Sequence, residues 1–294
     1  MSAERDTMAT LPFCKGTVVV PRHRRGALAG MALAAPSRPP VARAHRLVAG
    51  AVASFGARWL PRAPDLVWPT WIGTGGSRAL LEDLRGSLDG FDSFALHVPR
   101  QPGRRSLALI LLRAGRPLAF VKAKLDAAAL DLEASTLAAL AGASGAPLQV
   151  ARPLARGTCG VHWLATTVLD GPHQPAFVEP GPEYEVWLDR CLGPVLASVQ
   201  APSHWRAAHG DLAPWNLRKR GSAVWLVDWE SATLAPPGAD RTYFRAARAV
   251  VLRATAEAAP QEAVEYWMAK VSARDAGDPL NRHLLEVLPR MATG

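Results

Sequence analysis

The 294-residue sequence contains only three cysteines, Cys14, Cys159 and Cys191. Their odd number and wide separation argue against a disulfide framework and match no metal-binding spacing. No apolar run approaches the roughly 20 residues that a membrane span needs. The N-terminus carries Glu4 and Asp6, and it lacks the compact apolar core and cleavage site of a secretory signal. These absences predict a cytoplasmic protein without a transmembrane segment.

Acidic residues are scarce in the first part of the chain. Residues 1–62 hold ten Lys and Arg but two Asp and Glu, a balance of +8, whereas residues 63–294 are close to neutral at +1. The neutral body argues against a nucleic-acid partner. The basic segment allows an electrostatic contact with a membrane surface, a polyanion or an acidic partner. The alternative is a partly disordered leader whose charge only aids solubility. We treat residues 1–75, rich in Ala, Arg and Pro, as an N-terminal extension.

Three polar side chains are concentrated in the segment His209-Gly-Asp-Leu-Ala-Pro-Trp-Asn216. Asp211 can accept a proton, Asn216 can coordinate a hard cation, and His209 can brace the loop between them. A predicted hairpin over residues 217–227 returns a second carboxylate, Asp228, toward the same place. Two carboxylates and an amide brought together in this way suit the Mg-assisted transfer of a phosphoryl group. A polar surface turn is the alternative, but a turn needs neither His209 nor Asp228.

The spacing of this motif resembles that of a known superfamily. His-x-Asp-x-x-x-x-Asn followed 12 residues later by Asp228 resembles the catalytic loop and metal-binding Asp of protein-kinase-like folds. The sequence His-Gly-Asp-Leu, with Asp228-Trp-Glu in place of Asp-Phe-Gly, resembles the motifs of the aminoglycoside phosphotransferase and choline kinase branch. The resemblance implies ATP and Mg²⁺ as cofactors and an acceptor hydroxyl on an aminoglycoside, sugar or amino alcohol. It also implies that Asp211 and His209 are catalytic and that Asn216 and Asp228 bind the metal.

The fold implied by this resemblance is α+β and bilobal. A small N-lobe, residues 76–171, would carry a five-stranded antiparallel sheet plus one helix and bind the nucleotide. A larger, mainly helical C-lobe, residues 172–294, would carry the catalytic loop and bind the acceptor. The basic extension would precede both lobes.

A lysine and a glutamate are expected upstream to orient the phosphates. Three successive strands are predicted over residues 94–98, 106–112 and 117–124, and the third ends in Lys122 and Lys124 on one face. The helix from Asp126 to Leu140 places Glu133 in an apolar stripe, where an unpaired carboxylate is costly to bury. We therefore predict a Lys122–Glu133 pair, which in the resembling family orients the Lys toward the ATP phosphates. Lys124 is the substitute, and a Glu133 that reaches water is the alternative.

Two further strands, over residues 148–152 and 162–169, complete the predicted five-stranded sheet. The second runs into Asp170-Gly-Pro, where the resemblance places the hinge, so Thr167, Val168 and Leu169 are the expected adenine edge. The loop over residues 99–105 departs from the kinase pattern because it offers a single glycine among its arginines. Its phosphate contacts are therefore left unassigned.

Several downstream residues have a role implied by the resemblance and an ordinary alternative. Asp240 matches an Asp that holds the catalytic loop in shape, although it also suits helix N-capping. Trp215 is a candidate for the acceptor site, whereas Trp229 is expected to pack the loop against the lobe. Acidic groups on the preceding helix could attract a cationic acceptor or form its solvated face; they are Glu183, Glu185 and Asp189. The helices near residues 261–273 and 281–291 show no chemistry.

The competing interpretation of the whole chain is non-enzymatic. A pseudokinase or nucleotide-binding scaffold would keep the fold and engage a partner through its basic extension. The complete set of Lys, Glu, Asp, Asn and Asp favours activity.

Overall fold

The computed structural model describes residues 8–12, 14, 16–34, 39–63, 68–73, 75–99, 105–169, 173–274 and 277–293. The strands are β1 (Met8–Thr10), β2 (Thr17–Pro21), β3 (Ser93–Val98), β4 (Ser106–Arg113), β5 (Arg116–Lys124), β6 (Gln149–Val150), β7 (Pro153–Thr158), β8 (His162–Thr166), β9 (Gln174–Pro175), β10 (Arg206–Ala208), β11 (Leu217–Arg220), β12 (Ala223–Leu226), β13 (Thr233–Ala235), β14 (Ala259–Pro260) and β15 (Ala292–Thr293). The helices are α1 (Arg24–Gly30), α2 (Pro39–Phe55), α3 (Gly76–Ser87), α4 (Ala127–Ala141), α5 (Glu183–Leu192), α6 (Ala239–Leu252), α7 (Gln261–Ser272) and α8 (Pro279–Val287).

The chain divides into two compact units. The first comprises Met1–Ala134 with Ala151–Gln174, and the second comprises Ser135–Val150 with Pro175–Gly294. In the described part of the chain, no helix is both long and apolar enough to cross a membrane.

The first unit is built on a seven-stranded antiparallel sheet in the order β1-β2-β3-β4-β5-β8-β7. Its central strand β4 is apolar on both faces, because Leu109 and Leu111 join one buried cluster while Ile110 and Leu112 join another. Successive strand residues point to opposite faces, so the sheet has core on both sides. Helix α3 covers the first face, and α1 and α2 cover the second.

The predicted five strands and single helix are corrected by this sheet. Strands β1 and β2 extend it from the N-terminal segment, with Val19 of β2 opposite Leu96 of β3. The run Thr17–Pro21 contains three valines, which favour a strand. Its basic neighbours obscured that pattern, and helices α1 to α3 also belong to the first unit.

The strand predicted over residues 148–152 is also corrected. Only Gln149–Val150 is extended, and it pairs in parallel with β12 in the second unit. In the large sheet β8 lies between β5 and β7. The sequence did not signal β7, because it starts with Pro153 and contains Gly157. Proline and glycine both weaken strand prediction.

The second unit combines the β11–β12 hairpin with helices α5 to α8. The hairpin pairs Leu217 with Leu226. Helices α6, α7 and α8 share a buried cluster that includes Tyr243, Trp267 and Leu284. The helix that carries Glu183, Glu185 and Asp189 is α5, which ends at Leu192. The hairpin and helix α6 hold the candidate active-site loop, residues 209–216.

Candidate active site

Asp240 anchors the start of the loop. Its Oδ2 accepts a hydrogen bond from the backbone N–H of His209 at 2.7 Å, and its Oδ1 accepts one from Gly210 N–H at 3.0 Å. The Tyr184 hydroxyl donates to Oδ2 at 3.0 Å. Asp240 is buried in the first turn of α6, whose N-cap is Gly238 rather than Asp240. The carboxylate therefore satisfies two loop N–H groups that would otherwise be buried without partners.

Gly210 occupies a position that only glycine fits. Its φ is +75°, and a Cβ on this residue would lie 2.0 Å from the Ser231 carbonyl oxygen. The loop therefore passes so close to the segment after Asp228 that no side chain can be placed between them.

His209 ties the loop to the end of β12. The ring is fully buried and packs against Trp229, with centroids 4.6 Å apart. Its Nδ1 accepts from the Asp211 N–H at 3.2 Å, so the proton is on Nε2, which donates to the Val227 carbonyl at 3.0 Å. With both ring nitrogens bonded to backbone, His209 positions Asp211 and Asp228 and does not itself face a substrate.

Asp211 holds both of its carboxylate oxygens in hydrogen bonds. Oδ1 accepts from Arg274 Nη2 at 2.9 Å, and Oδ2 accepts from Asn216 Nδ2 at 3.1 Å. The side chain is 23% exposed. Burial raises the pKa of the Asp211 carboxyl, Arg274 opposes that shift, and the Asp228 carboxylate adds to it. The group is thus a reachable carboxylate with an elevated proton affinity.

Asn216 and Asp228 are brought together by the hairpin. The Val227 N–H donates to the Asn216 carbonyl at 3.0 Å, immediately before Asp228. Asp228 adopts a left-handed conformation, φ 72° and ψ 57°, which is uncommon outside glycine and is found at functional sites. The Asn216 Nδ2 is engaged with the Asp211 carbonyl at 2.8 Å. This leaves Asn216 Oδ1 as its atom for a cation.

The donor set fits magnesium. Mg²⁺ is bound by one or two protein oxygens together with water and substrate phosphates, and an amide oxygen with a carboxylate meets that need. The described residues contain no cluster of three or more His, Cys, Asp and Glu side chains of the kind that would hold a metal without a substrate.

Two cations next to Asp211 were missed by the sequence analysis. Lys270 on α7 donates from Nζ to the Gly210 carbonyl at 2.8 Å. Arg274, just beyond α7, bonds Asp211 and also the Tyr243 hydroxyl at 2.8 Å. The expectation that residues 261–273 lack chemistry is therefore wrong. The four-residue spacing of the two cations, which puts them on one face of a helix, was the available signal.

The strand after the loop carries another cation, Arg218 on β11. Burial lowers the pKa of its guanidinium to about 10, and the Asp228 carboxylate acts in the opposite direction. Its Nη1 is buried without a hydrogen-bond partner among the described residues.

The first unit contains the predicted lysine–glutamate pair. Lys122 Nζ lies 2.7 Å from Glu133 Oε1 and 2.9 Å from Oε2. The side chains are 16% and 5% exposed, so Glu133 does not reach water as the alternative required. Lys122 is on β5 and Glu133 on α4. The pair resolves the burial of a carboxylate within an apolar face.

The predicted adenine edge follows the end of β8. Thr167, Val168 and Leu169 are half-buried and lie outside regular structure. The Thr167 N–H donates to the Arg152 carbonyl and its hydroxyl accepts from the Arg152 N–H, both at 2.9 Å. The hinge at 170–172 and residues 100–104 of the phosphate-side loop lie outside the described residues.

The remaining candidates have mostly structural contacts. Trp215 is half-buried against the helical cluster, and Trp229 is fully buried, donating from Nε1 to Leu226. Asp189 accepts from the Ala207 N–H at 2.7 Å, and burial raises the pKa of Glu185.

No protein-family model matches the chain, and no curated protein matches its sequence. Among solved structures, the chain is similar to aminoglycoside and macrolide phosphotransferases.

Three of these structures illustrate the similarity. Aminoglycoside phosphotransferase APH(4)-Ia is 12% identical, with 72% of this chain and 88% of that chain covered and a TM-score of 0.42. Macrolide 2'-phosphotransferase MphH from Brachybacterium faecium is 15% identical, with 71% and 97% covered and a TM-score of 0.44. Aminoglycoside-3'-phosphotransferase of type VIII is 21% identical, with 71% and 97% covered and a TM-score of 0.38. Because each similarity is this loose, none of them assigns a substrate or a reaction to this chain.

Proposed function

We propose that the protein is an ATP- and Mg-dependent phosphotransferase that moves the γ-phosphoryl group of ATP to a hydroxyl of a small molecule. The observation that carries the proposal is the loop at residues 209–216. There a reachable carboxylate, Asp211, is bonded to an amide, Asn216, which the hairpin joins to a second carboxylate, Asp228. A surface turn would not require a buried histidine and a buried aspartate to hold it.

In this proposal Asp211 acts on the acceptor. Its carboxylate orients the acceptor hydroxyl and takes the proton as the hydroxyl oxygen forms a bond to the γ-phosphorus. The bond from that phosphorus to the β–γ bridging oxygen breaks, and ADP leaves. The raised pKa of Asp211 favours its role as proton acceptor.

The other residues position the phosphates. Asn216 Oδ1 and the Asp228 carboxylate would hold Mg²⁺, which when bound neutralises charge on the transferred phosphoryl group. Lys122, oriented by Glu133, would bind the α- and β-phosphates. Thr167, Val168 and Leu169 would border the adenine. Asp240 and His209 would keep the loop in shape, and Trp215 would line the acceptor site.

The proposal is tested by ATP consumption against a panel of hydroxylated acceptors. Wild type is expected to turn over at least one acceptor, whereas Asp211→Ala and Asp228→Ala are expected to lose turnover. Turnover that survives Asp211→Ala would contradict the mechanism. Mg-ATP binding without turnover of any acceptor would favour the alternative function, a pseudokinase or nucleotide-binding scaffold without catalytic activity.

We also propose that the exposed side of α2 contacts an anionic membrane surface. Residues 41–62 contain no Asp or Glu. Leu47 is 76% exposed, on the side of the helix that carries the exposed Arg43 and Arg46, and Phe55 at the end of the helix is 80% exposed. Basic and large apolar side chains on one helical face suit the headgroup region of a bilayer.

A further inference from the structure

The two cations beside Asp211, Lys270 and Arg274, bear on the charge of the acceptor. An acceptor hydroxyl must lie within hydrogen-bond distance of the Asp211 carboxylate. Its neighbouring atoms then lie beside Arg274, which is bonded to Asp211 Oδ1, and beside Lys270, which is bonded to Gly210. Both cations are half-buried, where charge interactions are screened less than on the open surface.

Aromatic rings fix the positions of these cations. The Arg274 guanidinium lies over Tyr243, 5.3 Å from the ring centroid, and over Trp267 at 5.7 Å. Lys270 Nζ lies 4.9 Å from the Trp267 centroid and 3.4 Å from the Tyr266 hydroxyl. An ammonium has three N–H donors, and the contacts described for Lys270 use two. A donor on Lys270 is therefore available to a ligand.

Two acidic side chains of the second unit that could receive a cationic acceptor have other partners. Asp189 is bonded to the Ala207 N–H, and Glu179 is paired with two arginines of α6. Lys270 also lines a cavity of about 390 Å³ that contains Glu262 and Glu265. In that cavity Glu262 accepts from Trp205 and His204, and Glu265 accepts from Gln261.

We propose that the acceptor is an anion, with a carboxylate or phosphate close to the hydroxyl that is phosphorylated. Lys270 and Arg274 bind the anionic group and Asp211 receives the hydroxyl. A polyamine acceptor would place like charges next to two fixed cations, which is unfavourable. This inference rests on the proposed phosphotransfer.

The test compares acceptors that share a sugar skeleton and differ in charge. Glucuronate and glucose 6-phosphate are the anionic probes, glucose is neutral and glucosamine is cationic. ADP formation with the full chain and Mg-ATP gives kcat/KM, and NMR saturation transfer measures binding of the same four compounds without ATP. We expect kcat/KM for an anion to exceed that for glucosamine by about tenfold or more. Comparing the two anions distinguishes a carboxylate from a phosphate.

Variants of Lys270 test whether its positive charge causes the preference for anionic acceptors. Lys270→Gln is expected to lose most of the preference, and Lys270→Glu to shift it toward glucosamine. Lys270→Arg is expected to retain it, which shows that loss in the other variants is not misfolding. Lys219→Gln, at an exposed lysine of β11, is the matched control and should keep the preference.

The outcomes separate the two proposals. Binding of glucosamine as strong as that of the anions, or a preference unchanged in Lys270→Gln, would overturn the anionic acceptor and leave phosphotransfer intact. Anion-selective binding that Lys270→Gln abolishes, without ADP formation from any acceptor, would overturn phosphotransfer and leave the anion site. Absence of binding for all four compounds would overturn the inference.

Discussion

The carboxylate of Asp240 lies 2.7 Å from the backbone nitrogen of His209, the residue that begins the candidate active-site loop. The same carboxylate accepts from Gly210, so one side chain of α6 sets the direction of the peptide units that lead to Asp211. The position of the Asp211 side chain thus depends on Asp240, which contacts neither substrate nor metal in the proposed mechanism.

Asp240→Asn is expected to reduce both stability and turnover. The amide has one acceptor oxygen for two loop N–H groups, so one buried donor loses its partner, at about 2 kcal/mol. A displaced Asp211 should lower kcat on the order of tenfold or more. Thermal unfolding and steady-state kinetics measure the two effects. Asp189→Asn is the control, because Asp189 accepts from Ala207 outside the loop. An equal fall in kcat for both variants would contradict a specific role for Asp240.

Gly210→Ala is expected to be severely destabilising. The added Cβ would meet the Ser231 carbonyl oxygen at 2.0 Å in a left-handed backbone, and we expect a loss of more than about 2 kcal/mol in the free energy of unfolding. Gly221→Ala at the hairpin turn is the matched control. It has φ +59° and nothing within 4 Å of its Cβ, so it carries the conformational cost of about 1 kcal/mol alone. Equal unfolding midpoints in urea would show that the close approach at Gly210 has no energetic weight.

Breaking the Lys122–Glu133 pair is expected to weaken ATP binding. Glu133→Gln leaves the Lys122 ammonium largely buried with a neutral partner, and we expect a KM for ATP on the order of tenfold higher and a loss of about 3 kcal/mol in stability. The double variant Lys122→Met with Glu133→Gln should lose less stability than the sum of the single variants.

The control for this pair is Asp131→Asn, which breaks the Arg156–Asp131 ion pair on the surface of the same unit. Exposed pairs contribute about 0–1 kcal/mol, so its stability and KM should be close to those of wild type. A KM for ATP that is unchanged in Glu133→Gln would remove the pair from the nucleotide site.

The pH dependence of turnover should report on Asp211. Because burial raises its pKa above the ordinary value of 3.8, activity should fall as pH drops through that raised value. Arg274→Gln removes a cation that opposes the shift, so the acidic limb of kcat/KM should move to higher pH. Arg274→Lys should restore it in part. A limb that stays in place in Arg274→Gln would contradict the coupling.

The raised pKa of Asp211 also makes the free energy of unfolding depend on pH. A carboxyl whose pKa is raised by folding binds its proton more tightly in the folded chain than in the unfolded chain. Its contribution therefore favours folding at low pH and is lost as pH rises through the folded pKa. Asp211→Asn should remove this dependence, as measured by urea unfolding between acidic and neutral pH.

Binding of the protein to anionic vesicles should depend on the exposed apolar side chains of α2. Wild-type protein is expected to co-sediment with phosphatidylglycerol vesicles, and a smaller fraction should do so at high salt. It should not co-sediment with phosphatidylcholine vesicles. Phe55→Ser should reduce the bound fraction. Val186→Ser, at a residue 71% exposed on α5, is the control and should not. If Phe55→Ser, Val186→Ser and wild type bind equally to anionic vesicles, the exposed side of α2 would instead contact a protein partner or serve only solubility.

The parts of the site that the sequence predicted are those with local signals. Residues 209–228 are contiguous, and the hairpin predicted over residues 217–227 forms strands β11 and β12. Glu133 was found because burying a carboxylate in an apolar helical face demands a partner, and the preceding strand offered Lys122.

The parts that were missed depend on contacts between distant segments. Strand β2 joins the large sheet through β3, more than 70 residues later in the chain, and Arg274 reaches Asp211 across 63 residues. Neither pairing leaves a periodic pattern that a window of sequence can show. The residues 148–152 were assigned to the wrong sheet because a short apolar run does not specify which strand it pairs with.

The β11–β12 hairpin limits the interval from Asn216 to Asp228 to lengths that preserve its register. Leu217 pairs with Leu226 and the turn is centred near Gly221, so a single-residue insertion or deletion in either strand would slip the register and turn Asp228 to the opposite face. A symmetrical change of one residue in each strand would keep the pairing but move the turn. Homologous sequences that retain this chemistry should therefore vary in this hairpin by lengths that preserve register, while the exposed turn residues vary freely.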